Sequence, residues 1–246
     1  MRTLGIDLAA EPAGTAACTI TWAAGAATAE VERGLNDDDL RGRIAQADKV
    51  GIDCPFGWPA DFVAAIVAHS RRERWPGRGR SGIKGRHPLR FRRTDDDVHE
   101  RAGLWPLSVS SDRIGVTAMR CAGLLDALAA DGCPVDRAGG GRVAEVYPAA
   151  ALKCWGLRRP GYKQSPAILA GLLAVLRRAA PWLRLDAGAA DLCARSHDAL
   201  DALVCALVAR AVALGRTTGP KPEDAEAAAV EGWIHLPEGG LAELAP

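Results

Sequence analysis

The order of patterned segments predicts an α/β protein built on one mixed sheet. Three observations carry that prediction. Apolar and alternating runs near the N-terminus read as three strands joined by tight turns. A fourth and a fifth strand follow, each after a helical stretch long enough to cross over and add a parallel neighbour. Gly and Pro clusters punctuate the runs throughout. At 246 residues the chain suits one domain over 1–246, with an insertion at about 71–93 and an appendage at about 216–246.

Residues 4–8 form a short apolar strand. Residues 15–22 alternate, with Cys18, Ile20 and Trp22 on one face and Thr19 and Thr21 on the other. Gly14 marks the turn between these two runs, and residues 27–33 are the third strand. Asn36 or Asp37 caps a helix through Ala47, with Leu40 and Ile44 four apart. Residues 50–53 are the fourth strand, stopped by Pro55, Gly57 and Pro59. Residues 60–74 read as a helix with Phe62, Ile66 and Val67 on its apolar face. Residues 113–130 and 166–179 are further helices, and 142–147 is the fifth strand, ended by Pro148. The clearest helix spans 196–214, with a stripe of Leu200, Val204, Leu207, Val208 and Ala211. A short acidic helix lies near 223–230.

The formal net charge of +1 hides an asymmetry. Residues 71–93 carry ten basic side chains against one acid, Glu73, so this segment is +9 and the remainder −8. Glycine and proline break any periodicity there, which predicts a long loop able to contact phosphates, with Trp75, His87 and Phe91 available for base stacking. Its simplest alternative is a solvated basic loop. The seven cysteines lack CxxC spacing and sit mostly in apolar contexts, which suits buried thiols rather than a zinc ribbon. Asp7 falls where a secretory leader needs an apolar run, and the most apolar stretch, 199–214, contains Asp201 and Arg210. A soluble cytoplasmic protein without a membrane partner is expected; nothing in the pattern sets an oligomeric state.

The chemistry-bearing residues are acids in apolar settings. Asp7 lies on the first strand, Asp53 ends the fourth and Glu145 lies within the fifth. Asp198 and Asp201 open the last large helix, three apart and on one face, their Cβ atoms about 5–6 Å apart. An unpaired carboxylate on a buried strand is costly unless it is paired or holds a metal. Carboxylates are the ligands a hard Mg2+ or Mn2+ takes, and one or two such ions serve phosphoryl transfer. Each acid also has a plainer role. Asp7 could pair with a cation, Asp53 brace its turn, Glu145 make an internal salt bridge, and Asp198 and Asp201 serve the helix start. His197 could position a water or a phosphate, or simply mark the helix boundary. Gly139 to Gly141 lack the Lys-Ser/Thr of a P-loop.

Gly5-Ile6-Asp7, Gly51-Ile52-Asp53 and His197-Asp198-Ala199-Leu200-Asp201-Ala202-Leu203 resemble the metal-binding segments of the ribonuclease H-like superfamily. The Asp-x-x-Asp-Ala-Leu helix is most similar to RuvC-type Holliday-junction resolvases. Adding Cys54-Pro55-Phe56-Gly57, Arg92-Arg93-Thr94-Asp95 and Glu145-Val146-Tyr147-Pro148, the pattern resembles domain of unknown function 429, a family of predicted nucleases, over about 3–214. The resemblance implies a ribonuclease H-like, five-stranded mixed sheet in order 3-2-1-4-5. It implies Mg2+ or Mn2+, one or two ions, on Asp7, Asp53, Asp198 and Asp201, with Glu145 and His197 completing the catalytic set. It also implies nucleic acid, DNA or RNA, as partner, with Arg92, Arg93, Asp95 and Tyr147 near the substrate; Arg86 and Arg90 join them as expected phosphate contacts of the basic segment. Asp53 stands where RuvC-type enzymes usually have Glu, one methylene longer. The expected activity is therefore metal-dependent hydrolysis of phosphodiester bonds. Two rivals are a non-catalytic binding module and an ATP-dependent small-molecule kinase of the related actin-like fold. The second lacks its Gly-Thr phosphate pair, because Leu8-Ala9-Ala10 follow Asp7.

Overall fold

The structure is a computed structural model that describes residues 1–246. In chain order the strands and helices are β1 (Arg2–Asp7), β2 (Ala16–Ala23), β3 (Ala26–Arg33), α1 (Asp37–Ala45), β4 (Lys49–Asp53), α2 (Ala60–Ser70), α3 (Gly82–Gly85), α4 (His87–Arg90), α5 (Arg93–Ala102) and α6 (Gly115–Ala130). There follow β5 (Val143–Val146), α7 (Pro148–Cys154), α8 (Pro166–Ala179), β6 (Leu183–Leu185), α9 (Ala187–Arg195), α10 (His197–Ala213), α11 (Ala225–Glu231) and β7 (Ile234–His235). One mixed sheet runs in the order β6-β3-β2-β1-β4-β5-β7. The expected order 3-2-1-4-5 lies inside it, but the sheet has seven strands rather than five. β6 pairs parallel with β3 at one edge, and β7 parallel with β5 at the other. These additions have three and two residues, too short for a period-two pattern to register.

Alternation places each core. Leu4, Ile6, Val50 and Ile52 point to one face, where Leu40 and Ile44 of α1 and Leu124, Leu125 and Leu128 of α6 cover them. The opposite face carries the larger core under α10, α8 and α9. Gly5 and Gly51 face that side and pair across β1 and β4. A Cβ on Gly5 would stand 2.1 Å from the Ala202 carbonyl oxygen, and one on Gly51 2.7 Å from that of Cys205. Both glycines let the backbone of α10 settle directly onto the sheet. The approach is possible because α10 offers Ala202, Cys205 and Ala206 there.

Helix boundaries follow their caps. Asn36 and Asp39 close a capping box at α1. The Ser196 hydroxyl accepts from Ala199 N–H at the start of α10. Ser196 therefore caps this helix, which removes capping as the explanation of Asp198. α2 ends at Ser70 and buries Ala65 and Ala68, while Ile66 and Val67 face outward, contrary to the periodicity expectation. Its covered side meets small residues because α4 and α11 lie close, leaving its branched side chains outside. Residues 71–84 are exposed throughout; α3 and α4 then lead into α5. In the 216–246 segment α11 packs on α5, and β7 completes the sheet edge. Trp233 is fully buried. No helix is long and apolar enough to cross a membrane.

Candidate metal centre

Each Gly-Ile-Asp segment places its Asp two residues after its Gly, so the carboxylate faces α10 as the glycine does. Asp7 and Asp53 are register partners at the carboxyl ends of parallel β1 and β4. Such strand ends are the usual ligand-binding edge of α/β sheets. Asp201 arrives from α10, one turn before Cys205 seats on Gly51. One ligand oxygen from each of Asp7, Asp53 and Asp201 lies within 4.8 Å of the others. A second group, also within 4.8 Å, joins Asp7 to His197 and Asp198. The two groups share Asp7, so all four predicted metal ligands and His197 converge.

Asp201 is wholly buried. The Tyr162 hydroxyl donates to its Oδ1 at 2.8 Å, and Lys163 Nζ stands 2.6 Å from its Oδ2 without hydrogen-bond geometry. Oδ2 is therefore held by an ion pair. Asp198 is held from outside: Arg33 Nη2 lies 2.5 Å from Oδ2 and His197 Nδ1 2.8 Å from Oδ1. Burial, with Asp201 and Asp53 nearby, pushes the Asp7 carboxyl well above the usual range, Lys163 only partly offsetting them. Burial likewise lifts Asp53 to about 7 against the pull of Lys163, with Asp201 and Glu145 adding to the rise. Asp201 is raised by burial despite Lys163 and Tyr162. Lys163 itself is held charged, because Asp201, Asp53 and Asp7 outweigh its burial. Three crowded carboxylates served by a single ammonium could hold a metal ion, whose binding would displace their protons.

Glu145, Arg92 and Tyr147 line the cavity beside Asp7 and Asp53, while Arg86, Arg90, Arg93 and Asp95 do not. Glu145, expected to be catalytic, is buried and accepts from Arg92 at 2.7 and 2.9 Å and from Phe56 N–H at 2.9 Å. Arg92 also binds Asp95 at 2.9 Å and the Glu231 carbonyl at 3.1 Å. Arg92 and Asp95, expected at the substrate, are thus committed to a buried ion network that ties β5, α5 and the C-terminal segment together. They have almost no surface to offer, and burial would be unaffordable without these partners. Arg93 pairs with Asp224 at 2.7 Å. Arg90 lies over the Phe91 ring, and Arg86 is exposed; neither lines the acidic cavity. Tyr147 does line it, half-buried.

The cavity beside Asp7 and Asp53 has a volume of about 420 Å3. Arg113, Arg158, Tyr162, Lys163 and Gln164 form part of its wall. Sequence reasoning missed these residues and Arg33. A signal existed in Arg158-Arg159-Pro160-Gly161-Tyr162-Lys163, a basic Pro-Gly loop after the fifth strand, since loops on a rigid frame carry function.

A family model described as "Protein of unknown function (DUF429)" matches residues 5–226. No curated protein and no solved structure matches the chain.

Proposed function

The chain belongs to the DUF429 family, and from that premise we propose that it is a divalent-metal-dependent phosphodiesterase of ribonuclease H-like fold acting on nucleic acid. The observation that carries this reading is the convergence of Asp7, Asp53 and Asp201, from two strands and a helix, with oxygens within 4.8 Å. Asp198 and His197 flank them through Asp7. A bound Mg2+ or Mn2+ supplies Lewis acidity and lowers the pKa of water at neutral pH. In the hydrolysis, a water oxygen bonds to phosphorus as the ester P–O bond breaks. The attacking oxygen stays on phosphorus, and the proton it sheds passes by way of solvent to the leaving oxygen, which ends as a hydroxyl. Asp7, Asp53 and Asp201 provide the oxygen ligands. Tyr162 holds Asp201 Oδ1 and Lys163 holds Oδ2, so the two side chains together fix the orientation of the carboxylate. Lys163 balances part of the charge. Glu145 does no proton transfer here, because Arg92 and Phe56 occupy it. The exposed basic segment 71–84 favours a polyanionic substrate. All seven cysteines are free, which suits a reducing, cytoplasmic setting.

The Lys163–Asp201 ion pair favours one second reading, a binding module whose acids are neutralised internally. Hydrolysis of labelled single-stranded, duplex, hybrid and branched substrates with Mn2+ separates the two. The proposal expects product from wild type and at least a hundredfold less from Asp7→Asn. Equal cutting by both proteins removes the site.

A further inference from the structure

We infer that the acidic cavity, and not the basic segment, recognises the scissile nucleotide, and that it admits one nucleotide at a strand end. This inference rests on the phosphodiesterase reading and narrows its substrate class. Arg92 is the sole member of the basic segment on the cavity wall, and its guanidinium is spent on Asp95 and Glu145. The free cations come from two other loops. Arg113 approaches from the segment before α6, and Arg158 from the segment after α7. Neither guanidinium has an ion-pair or hydrogen-bond partner, although Arg158 is half-buried.

The Arg113 guanidinium is exposed and that of Arg158 half-buried, so both are free to take a ligand that enters the cavity they line. A planar fork suits the oxygens of a phosphate. Lys163 offsets part of the negative field of Asp7 and Asp53, and Arg158 acts on Tyr147 of the same wall, so the cavity also holds positive charge for a phosphate. Pro106, Leu107 and Tyr147 add apolar and aromatic surface to the same wall, suited to a sugar or base. The volume of about 420 Å3 falls in the range of about 300–1,000 Å3 typical of small-molecule sites. A nucleotide at a free end can enter such a recess. A terminal nucleotide has chain on one side only, so it can seat its phosphate in a recess of one-nucleotide size without the flanking chain that a mid-strand phosphate carries on both sides.

A terminal nucleotide and a free nucleotide share this chemistry, so the experiment has two arms. In the first, calorimetry follows a nucleoside 5′-monophosphate added to the full chain in Mg2+. This ligand has no phosphodiester bond, so binding is read without turnover. Wild type binds it, and the Arg113→Gln/Arg158→Gln variant binds at least tenfold more weakly. In the second, Mn2+-loaded protein meets an end-labelled linear single strand and the same strand ligated into a circle. Mononucleotides from the linear strand, with the circle intact, support the inference. Nucleotide binding without cutting of either strand assigns the recess to a free nucleotide and overturns the strand-end inference together with the polymer-hydrolase reading. A circle cut as fast as the linear strand overturns the inference while leaving the phosphodiesterase reading in place. Nucleotide binding that is absent, or unchanged in a folded double variant, overturns it as well.

Discussion

In metal-free protein, stability should fall as pH rises from about 4 to above 7, and Asp53 should account for much of the fall. The Asp53 carboxyl sits at about 7 because burial outweighs the pull of Lys163 and because Asp201 and Glu145 stand near. An unfolded aspartate titrates near 3.9. Folded protein therefore holds the proton more tightly than unfolded protein. The resulting stabilisation is complete below about pH 4 and is lost as pH climbs through about 7. Three pH units at 1.36 kcal/mol each correspond to roughly 4 kcal/mol. For a chain of this length that is a fall of roughly 8–16 °C in Tm. Asp7 and Asp201 are raised for the same reason and push in the same direction. The assay is thermal unfolding by circular dichroism in EDTA from pH 4.5 to 8, for wild type and Asp53→Asn. The variant loses the buried charge, so its Tm should decline less and exceed that of wild type above pH 7. Millimolar Mn2+ should restore wild type at high pH and leave Asp53→Asn nearly unmoved. Parallel pH profiles for the two proteins would refute the electrostatic reasoning.

Other predictions follow from single contacts. Gly5→Ala drives a Cβ to 2.1 Å from the Ala202 carbonyl, so α10 must lift; the protein should lose more than about 4 kcal/mol in urea unfolding or fail to fold. Arg92→Met strands the Glu145 and Asp95 charges and should cost about 3–5 kcal/mol by the same measurement. Lys163→Met removes the ammonium beside Asp201, so Mn2+ affinity by calorimetry should rise on the order of tenfold. An unchanged affinity would mean that the ammonium lies outside the field of the bound cation.

The central sheet was legible because its signals are long or repeated. Two Gly-Ile-Asp segments mark where a helix touches the sheet and where a carboxylate follows on the same face. The two glycines are explained only by the partner helix, yet their spacing from Asp7 and Asp53 already sets the geometry. β6 and β7 escaped because three and two residues show no alternation. Charge misled where it was buried. Arg92 and Asp95 look like surface residues in a basic run, and only tertiary pairing with Glu145 shows their structural task. The basic Pro-Gly loop that carries Tyr162 and Lys163 marks a functional loop but not the acid it serves; the fold brings the two residues to Asp201 across 39 and 38 positions.

The central claim is that the convergent carboxylates hold a divalent cation. Calorimetric titration of EDTA-treated protein with Mn2+, beside Asp7→Asn, tests it most directly, since Asp7 belongs to both ligand groups. Saturable binding of one or two ions by wild type, lost in the folded variant, is the predicted result. No heat at millimolar Mn2+, or equal binding by the two proteins, would contradict it.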